Sequence, residues 1–271
     1  MRFFYKITEA FIFLLRYLKY LFVSDYYRGY GIQSPFVYNF DRNIFHKKKK
    51  KTVLKDIKKI RKRLIKEQTF LYTTDFGTGS KKAKHRWLSL KEAVKRMSIP
   101  HKYGKVLYRI IEYYSLRDIL EIGTGVGVST LYLAKGKKSK TVHTIEGDPQ
   151  KANFAEQLLK THKLKNVQIW INHFDEVLYF VLKKMQHLPD FIFIDGNHQK
   201  SSTVQYFNTV LPFIHNDTVV VLDDIHWSKD MEEAWDEIKK YKQVTVTIDL
   251  FQIGIVFFKK ELSRQNFIIR Y

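Results

Sequence analysis

The stretch DILEIGTGVGVST, residues 118–130, decides the fold of this chain. Glu121 lies near the end of a short β-rich run, and Gly123, Gly125 and Gly127 follow at every second position ahead of a helical segment. Glycine allows a tight turn and lets peptide groups approach a ligand without interference from a Cβ atom. The stretch therefore predicts a strand, a turn that contacts a nucleotide-like cofactor, and a helix.

From this stretch onward, short β-rich runs alternate with helical segments. The first five runs are DILEIG, TVHTIEGD, VQIWIN, DFIFIDG and TVVVLDD. Such alternation indicates crossover units and a parallel sheet covered on both faces. Two further runs, VTVTIDLF and IGIVFF, are separated only by Gln252, so they must pair as an antiparallel hairpin. We therefore expect an α/β fold, a doubly wound Rossmann-like sheet of five parallel strands plus a C-terminal hairpin.

The positive charge is confined to the N-terminal part of the chain. Residues 1–109 hold 28 lysines and arginines and 7 acidic residues, a net charge of +21 that equals the charge of the whole chain. Such a field attracts phosphates without sequence preference. Lysine outnumbers arginine 36 to 12, however, and bidentate reading of phosphates and bases favours arginine. The pattern fits either a solvated basic face or a nucleic-acid or anionic-surface partner.

The chain contains no cysteine, which excludes disulfides and thiolate metal sites and favours a reducing, cytoplasmic compartment. Residues 2–23 are rich in apolar side chains, but Arg16 and Lys19 fall where the apolar region of a signal peptide would lie. The longest uncharged run, residues 10–15, is far short of the ~20 residues of a membrane span. We therefore expect neither a signal peptide nor a membrane-spanning helix.

Residues 2–23 instead predict a helix with one apolar face. The side chains on that face are Phe4, Ile7, Phe11, Leu14, Leu15, Leu18 and Phe22. The face either packs on the protein's own body or on a second copy, or it lies in a membrane interface with a basic rim. Residues 72–80, YTTDFGTGS, are interpreted as a surface loop. We assign residues 1–86 to a basic, mainly helical extension and residues 87–271 to the glycine-loop domain.

Acidic and aromatic residues follow the next two strands of the domain. The second strand ends in Glu146, 23 residues after Gly123, where a carboxylate reaches the two ribose hydroxyls of an adenosine. The alternative is an ordinary charged strand end. After the third strand, Phe174 and Asp175 fall where an adenine would lie.

The fourth and fifth strands are apolar until their ends and then turn acidic, at Asp195 and at Asp223 and Asp224. Neighbouring strands lie about 4.8 Å apart, so these carboxylates can converge. Three clustered carboxylates repel one another, and a hard divalent cation, magnesium or else calcium, relieves that repulsion. The alternative is that some of them cap helices or bind the cofactor's amino group.

Three histidines belong to this region. His198, three residues after Asp195 at the mouth of the site, is the candidate general base. His226 and Trp227 are candidates for the wall of the acceptor pocket. His143, inside a strand, is assigned to the core or the sheet edge.

On these residues, the region from Trp87 to the C-terminus resembles class I S-adenosylmethionine-dependent methyltransferases, in particular the metal-dependent small-molecule O-methyltransferases of the catechol and macrolide-sugar types. The resemblance implies that Glu146 binds ribose and that the strand-end aspartates ligate the metal, while Asp195 also contacts the cofactor. It assigns the methionine part of the cofactor to Glu121, Gly123, Thr124, Gly125 and Ser129. Where the catechol type has a lysine base three residues after the first ligand, this chain has His198, and Asp195 is the alternative base.

The resulting hypothesis is methyl transfer from S-adenosylmethionine to a hydroxyl oxygen of a small molecule, assisted by a divalent metal, in a monomer or a homo-oligomer. One rival is a nucleic-acid methyltransferase, although IDGNH stands where the adenine-directed signature of Asn or Asp, Pro, Pro and an aromatic residue would fall. A second is a non-catalytic cofactor-binding or membrane-associated protein. A nicotinamide dehydrogenase is disfavoured by Val128, which replaces the last glycine of the G-x-G-x-x-G form.

Overall fold

The computed structural model describes residues 2–24, 26–27, 31–46, 52–75 and 84–271, except the side chains of residues 2–10, 26–27, 75 and 84–85. Across these ranges, no helix has both the length and the apolar character that crossing a membrane requires.

Nine of the strands in the described ranges form one central sheet. The strands are β1 (Tyr26–Tyr27), β2 (Phe70–Asp75), β3 (Lys84–Ser89), β4 (Asp118–Ile122), β5 (Thr141–Glu146), β6 (Val167–Ile171), β7 (Phe191–Ile194), β8 (Val219–Asp223), β9 (Val246–Asp249), β10 (Ile253–Phe257) and β11 (Gln265–Arg270). The order in the sheet is β1-β11-β9-β10-β8-β7-β4-β5-β6. The five parallel strands β4 to β8 and the antiparallel hairpin of β9 and β10 are confirmed.

The sheet is larger than expected. Strand β11 pairs parallel with β9, and the two-residue strand β1 pairs parallel with β11. Strands β2 and β3 form a separate antiparallel hairpin, from Phe70 opposite Ser89 to Asp75 opposite Lys84. The interpretation of residues 72–80 as a loop is therefore wrong for residues 72–75, and residues 76–80 lie outside the described ranges.

Helices cover both faces of the sheet. They are α1 (Arg2–Val23), α2 (Pro35–Phe40), α3 (Thr52–Lys66), α4 (Leu90–Arg96), α5 (His101–Tyr114), α6 (Val128–Ala134), α7 (Pro149–Thr161), α8 (Phe174–Lys184), α9 (Lys200–Val210) and α10 (Lys229–Ile238). The N-terminus of helix α7 shows how the local sequence determines where a helix begins. Asp148 accepts from the backbone N–H groups of Gln150 at 2.8 Å and Lys151 at 3.3 Å, and Pro149 supplies a preset φ.

The core consists of two layers, one on each face of the sheet. Alternate side chains of β7 enter opposite layers, with Phe191 and Phe193 in one and Ile192 and Ile194 in the other. The first layer also holds buried side chains of α2 and α3. Helices α2 and α3 therefore share a core with the glycine-loop domain, and the division after residue 86 falls inside β3.

Helix α1 packs on the body through an aromatic side. The rings of Phe13, Tyr17 and Tyr20 lie 5.3, 5.0 and 5.3 Å from the ring of Phe251. The face predicted from the sequence points the other way, since its described members are exposed: Phe11, Leu14, Leu15, Leu18 and Phe22. The expectation that this face packs on the protein's own body is wrong because a second, aromatic face takes that contact. The side chains of Phe4 and Ile7 lie outside the described residues.

Candidate functional site

The carboxyl ends of β4, β5, β7 and β8 meet at one edge of the sheet, where the glycine loop lies against the end of β7. Gly123 donates its N–H to the carbonyl of Ile145 at 3.0 Å, and Asp195 donates its N–H to the carbonyl of Ile122 at 2.8 Å. The φ angle of Gly123 is +105°, and a Cβ atom there would lie 1.8 Å from the carbonyl oxygen of Asp195. Only glycine therefore fits this position.

Glu121 lies beneath the loop and is fully buried. Its Oε2 accepts from the hydroxyls of Thr130 at 2.6 Å and Thr144 at 2.7 Å, and the hydroxyls of Thr144 and Thr124 lie 2.6 Å apart. Its Oε1 has no hydrogen-bond partner among the described residues. Burial raises the pKa of Glu121 to about 7, although the hydroxyl of Ser129 opposes part of the rise. A hydrogen-bond donor such as the amino group of a cofactor would satisfy this oxygen.

The raised pKa of Glu121 implies that the free energy of unfolding depends on pH. Between about pH 4.5 and 7 the folded carboxyl keeps a proton that the unfolded chain releases, so this group lowers the free energy of unfolding as pH rises through that window. The loss amounts to about 3 kcal/mol at neutral pH. We expect Glu121→Gln to remove this pH dependence. Urea titrations should then show that the free energy of unfolding of the variant rises relative to that of the native chain between pH 5 and 7.5. Parallel pH profiles of the two proteins would contradict the assignment.

Glu146 joins the end of β5 to the glycine loop. Its Oε2 accepts from the N–H of Gly125 at 2.7 Å and its Oε1 from the N–H of Asp148 at 3.0 Å. Burial is the main cause that raises its pKa. Each carboxylate oxygen has a second lone pair for a ribose hydroxyl. Asp148 also accepts from the N–H of Thr74 at 2.7 Å, which fixes the β2–β3 hairpin to this edge.

Phe174 and Asp175 lie in the first turn of α8, beside the loop that follows β7. The ring of Phe174 covers Gly196, where a Cβ atom would lie 2.6 Å from it. The same ring makes an edge contact with Tyr206, at 5.8 Å between centroids. Asp175 is exposed. Both predicted adenine contacts are therefore next to the end of the strand that carries Asp195.

Asp195, Asp223 and Asp224 form an electrostatically coupled group at this edge. Burial raises the pKa of Asp195 well above its ordinary value, and repulsion from the other two carboxylates raises it further. Burial and Asp224 together raise the pKa of Asp223 in the same way. The side-chain amide of Gln252 donates to both Asp223, at 3.1 Å, and Asp224. Gln252 was missed from the sequence, where it stood only as the link between two β-rich runs.

These carboxylates match the oxygen donors that magnesium and calcium prefer. Within the described ranges, however, no group of three or more His, Asp or Glu side chains is arranged to hold a metal ion. The carboxylates are thus of the right chemical type for a divalent cation, but the described side chains are not arranged around one, and the metal stays a prediction.

His198 lies at the mouth of this group. Its Nε2 is 3.6 Å from Oδ2 of Asp224 and 3.9 Å from Oδ1 of Asp195, and its side chain is 35% exposed. It can therefore reach solvent and the carboxylates at once, which is the position that a general base needs.

His226 is held in a network that the sequence did not reveal. Its Nδ1 lies 2.9 Å from Glu232 and its Nε2 2.8 Å from Asp249, while its ring stacks on Phe251 at 5.2 Å. Burial lowers its pKa, but the two carboxylates outweigh burial and raise it. Both ring nitrogens are thus occupied by carboxylates of the protein, and the place of His226 in the wall of an acceptor pocket stays a prediction. Trp227, 58% exposed, stays available.

His143 is buried, and its Nδ1 lies 3.2 Å from the indole nitrogen of Trp170. Its assignment to the core or the sheet edge is confirmed.

Residues 120–225 match the family model described as "Methyltransferase domain". A protein named catechol O-methyltransferase, from Niastella koreensis, is 29% identical over 140 residues, which cover 51% of this chain and 62% of that protein. The match therefore spans less than two thirds of that relative's length.

Solved structures share the fold. The O-methyltransferase from Bacillus cereus in complex with SAH superposes with a TM-score of 0.54 at 19% identity, covering 81% of this chain and 96% of that one. The O-methyltransferase TomG from Streptomyces achromogenes, in complex with SAM, gives 0.55 at 17% identity, covering 78% and 91%. At these identities the likeness concerns the fold.

Proposed function

We propose that this chain transfers the methyl group of S-adenosylmethionine to a hydroxyl oxygen of a small molecule. Residues 120–225 match a methyltransferase domain, and the fold is shared with O-methyltransferases of known structure. The observation that carries the proposal is the close approach of Gly123 to Asp195 above the orphan Oε1 of Glu121. The names of the relatives support it, since one is a catechol O-methyltransferase and two solved structures hold SAH or SAM.

The reaction is an in-line displacement. The bond from carbon to the sulfonium sulfur breaks, a bond from carbon to the acceptor oxygen forms, and the hydroxyl proton leaves to a base. Little covalent chemistry is asked of the protein, which positions the two reactants and excludes water. The glycine loop and Glu121 would hold the methionine part and Glu146 the ribose, while Phe174 and Asp175 would flank the adenine.

Asp195, Asp223 and Asp224 would hold a divalent cation, magnesium or calcium. Such a cation lowers the pKa of a bound hydroxyl. His198 would then take the hydroxyl proton, because its Nε2 lies within 4 Å of two of these carboxylates and its ring reaches the mouth of the site. Asp195 is the alternative base, since burial raises its pKa.

The test is an assay of labelled methyl transfer to two matched acceptors, catechol and phenol, with magnesium or with a chelator. We expect transfer to catechol that the chelator suppresses at least about a hundredfold and little transfer to phenol, because one hydroxyl cannot chelate. Equal rates with both acceptors in the chelator would remove the metal from the proposal. Transfer to neither, despite cofactor binding, would contradict small vicinal hydroxyls as acceptors.

Nucleic acid is the second candidate acceptor, favoured by the net charge of +21 in residues 1–109. Removing the extension would not test it cleanly, because α2 and α3 contribute to the core. The full chain should instead be assayed with labelled S-adenosylmethionine and total RNA. Incorporation into RNA that exceeds incorporation into catechol would favour this candidate over the first.

A further inference from the structure

Helix α1 presents a wide apolar surface to solvent. Phe11, Leu15, Leu18 and Phe22 recur at spacings of four, three and four residues, which places them on one side of the helix. Phe22 is 84% exposed and Phe11 58%. The exposed apolar side chains of α1 are Phe11, Ile12, Leu14, Leu15, Leu18, Phe22 and Val23. A contiguous patch of this kind on a protein surface marks a contact with another apolar body.

The opposite side of α1 is fixed to the protein, so the outward direction is set by the fold. Phe13, on that side, contacts Phe251 and Trp227 at 5.3 and 5.8 Å between ring centroids. Arg16 forms an ion pair with Glu232 at 3.2 Å and donates to the carbonyl of Trp227 at 3.2 Å. The helix cannot turn its apolar side inward without breaking these contacts.

A lysine and aromatic side chains accompany the patch, and the N-terminal part of the sequence is strongly basic. Lys19 is exposed beside the apolar side chains, and the N-terminal part carries the whole net charge of +21. Tyr17 of α1 is 39% exposed, and Trp227, whose ring contacts Phe13 of the helix, is 58% exposed. Apolar side chains flanked by cationic and amphipathic aromatic residues match the layered chemistry of a bilayer surface with anionic lipids.

The residues beneath α1 lie close to the candidate site along the chain. Trp227 donates its N–H to the carbonyl of Asp224 at 2.9 Å, and Phe251 precedes Gln252, which binds Asp223 and Asp224. The residues under α1 are thus next to the strand-end carboxylates in the chain.

We propose that α1 lies in the surface of an anionic membrane, and that the acceptor is a lipophilic hydroxyl compound which enters the site from the bilayer. The second half rests on the proposed methyl transfer. The first half stands on the helix alone.

The experiment is flotation of the full-length protein with vesicles of phosphatidylcholine alone or mixed equally with phosphatidylglycerol. We expect binding to the anionic vesicles and at least a tenfold loss in the double variant Leu15→Asp, Phe22→Asp. The control is Leu188→Asp, Phe180→Asp, which replaces the same residue types where they are 48% exposed elsewhere on the surface; it should bind like the native chain. Lys19→Glu should weaken binding to the anionic vesicles only.

No flotation of the native chain, or equal loss in both double variants, would overturn the membrane contact. If the native chain sediments as a dimer without binding vesicles, and the Leu15 and Phe22 variant sediments as a monomer, the patch is a contact with a second copy. The affinity for SAH should be unchanged in the Leu15 and Phe22 variant. A loss of vesicle binding with unchanged SAH affinity would thus concern the membrane contact and not the proposed cofactor site. For the acceptor, a long-chain alkyl catechol in vesicles should be methylated faster than catechol in solution, and the α1 variant should abolish that preference; equal rates would overturn it.

Discussion

Replacing Gly123 by alanine is expected to abolish cofactor binding. The new Cβ atom would lie 1.8 Å from the carbonyl oxygen of Asp195, and the φ angle of +105° is one that L side chains rarely adopt. The backbone of the loop or of Asp195 must therefore move, and either shift disrupts the carboxyl edge of the sheet. We expect SAH affinity to fall at least about a hundredfold and the free energy of unfolding to fall by about 2 to 4 kcal/mol.

The matched control is Gly31→Ala. Gly31 also has a positive φ, +80°, but it lies in the loop before α2 and outside the glycine loop. This variant should lose about 1 to 2 kcal/mol of stability and retain SAH affinity. Binding by the Gly123 variant within about threefold of the native value would show that the loop does not form the cofactor site.

Asp223→Ala is expected to remove nearly all turnover while leaving cofactor binding intact. Asp223 is buried at the end of β8, among the carboxylates that we propose hold a divalent cation. Without Asp223 the proposed cation would be lost, and with it the effect that lowers the pKa of the acceptor hydroxyl. We therefore expect kcat to fall about a thousandfold. SAH affinity should change less than threefold, because the glycine loop and Glu146 lie on β4 and β5.

The same variant should not unfold the protein. Asp223 repels Asp195, so its removal relieves a buried repulsion, and Gln252 keeps Asp224 as an acceptor. The matched control, Asp236→Ala, removes a carboxylate that is 62% exposed on α10 and should keep native turnover. Turnover above about a tenth of the native rate in Asp223→Ala would contradict the role of this carboxylate.

The parts of the fold that depend on short runs of neighbouring residues were predicted from the sequence. The strands β4 to β10 correspond to the β-rich runs of the sequence, and the single Gln252 between the last two runs requires the hairpin of β9 and β10. Strands β1 and β11 could not be predicted, because β1 has two residues and both depend on pairing with distant strands. The inward aromatic side of α1 was also missed, because both sides of the helix carry apolar or aromatic residues.

The candidate site was predictable to the extent that its residues stand at strand ends. Asp195 and Asp223 follow apolar runs, and parallel strands bring their carboxyl ends to one edge. The partners of these residues come from distant parts of the chain. Gln252 reaches Asp223 from the terminal hairpin, and Asp249 of β9 binds Nε2 of His226. No spacing rule in the sequence connects such pairs.

The central claim is that the edge formed by the glycine loop, Glu121 and Glu146 binds an adenosyl sulfonium cofactor. Isothermal calorimetry of the full chain with S-adenosylmethionine, SAH and NAD tests it most directly. We predict saturable one-site binding of S-adenosylmethionine and SAH in the micromolar range and none of NAD. Absence of heat with both adenosyl ligands at millimolar concentration, or tighter binding of NAD, would contradict it.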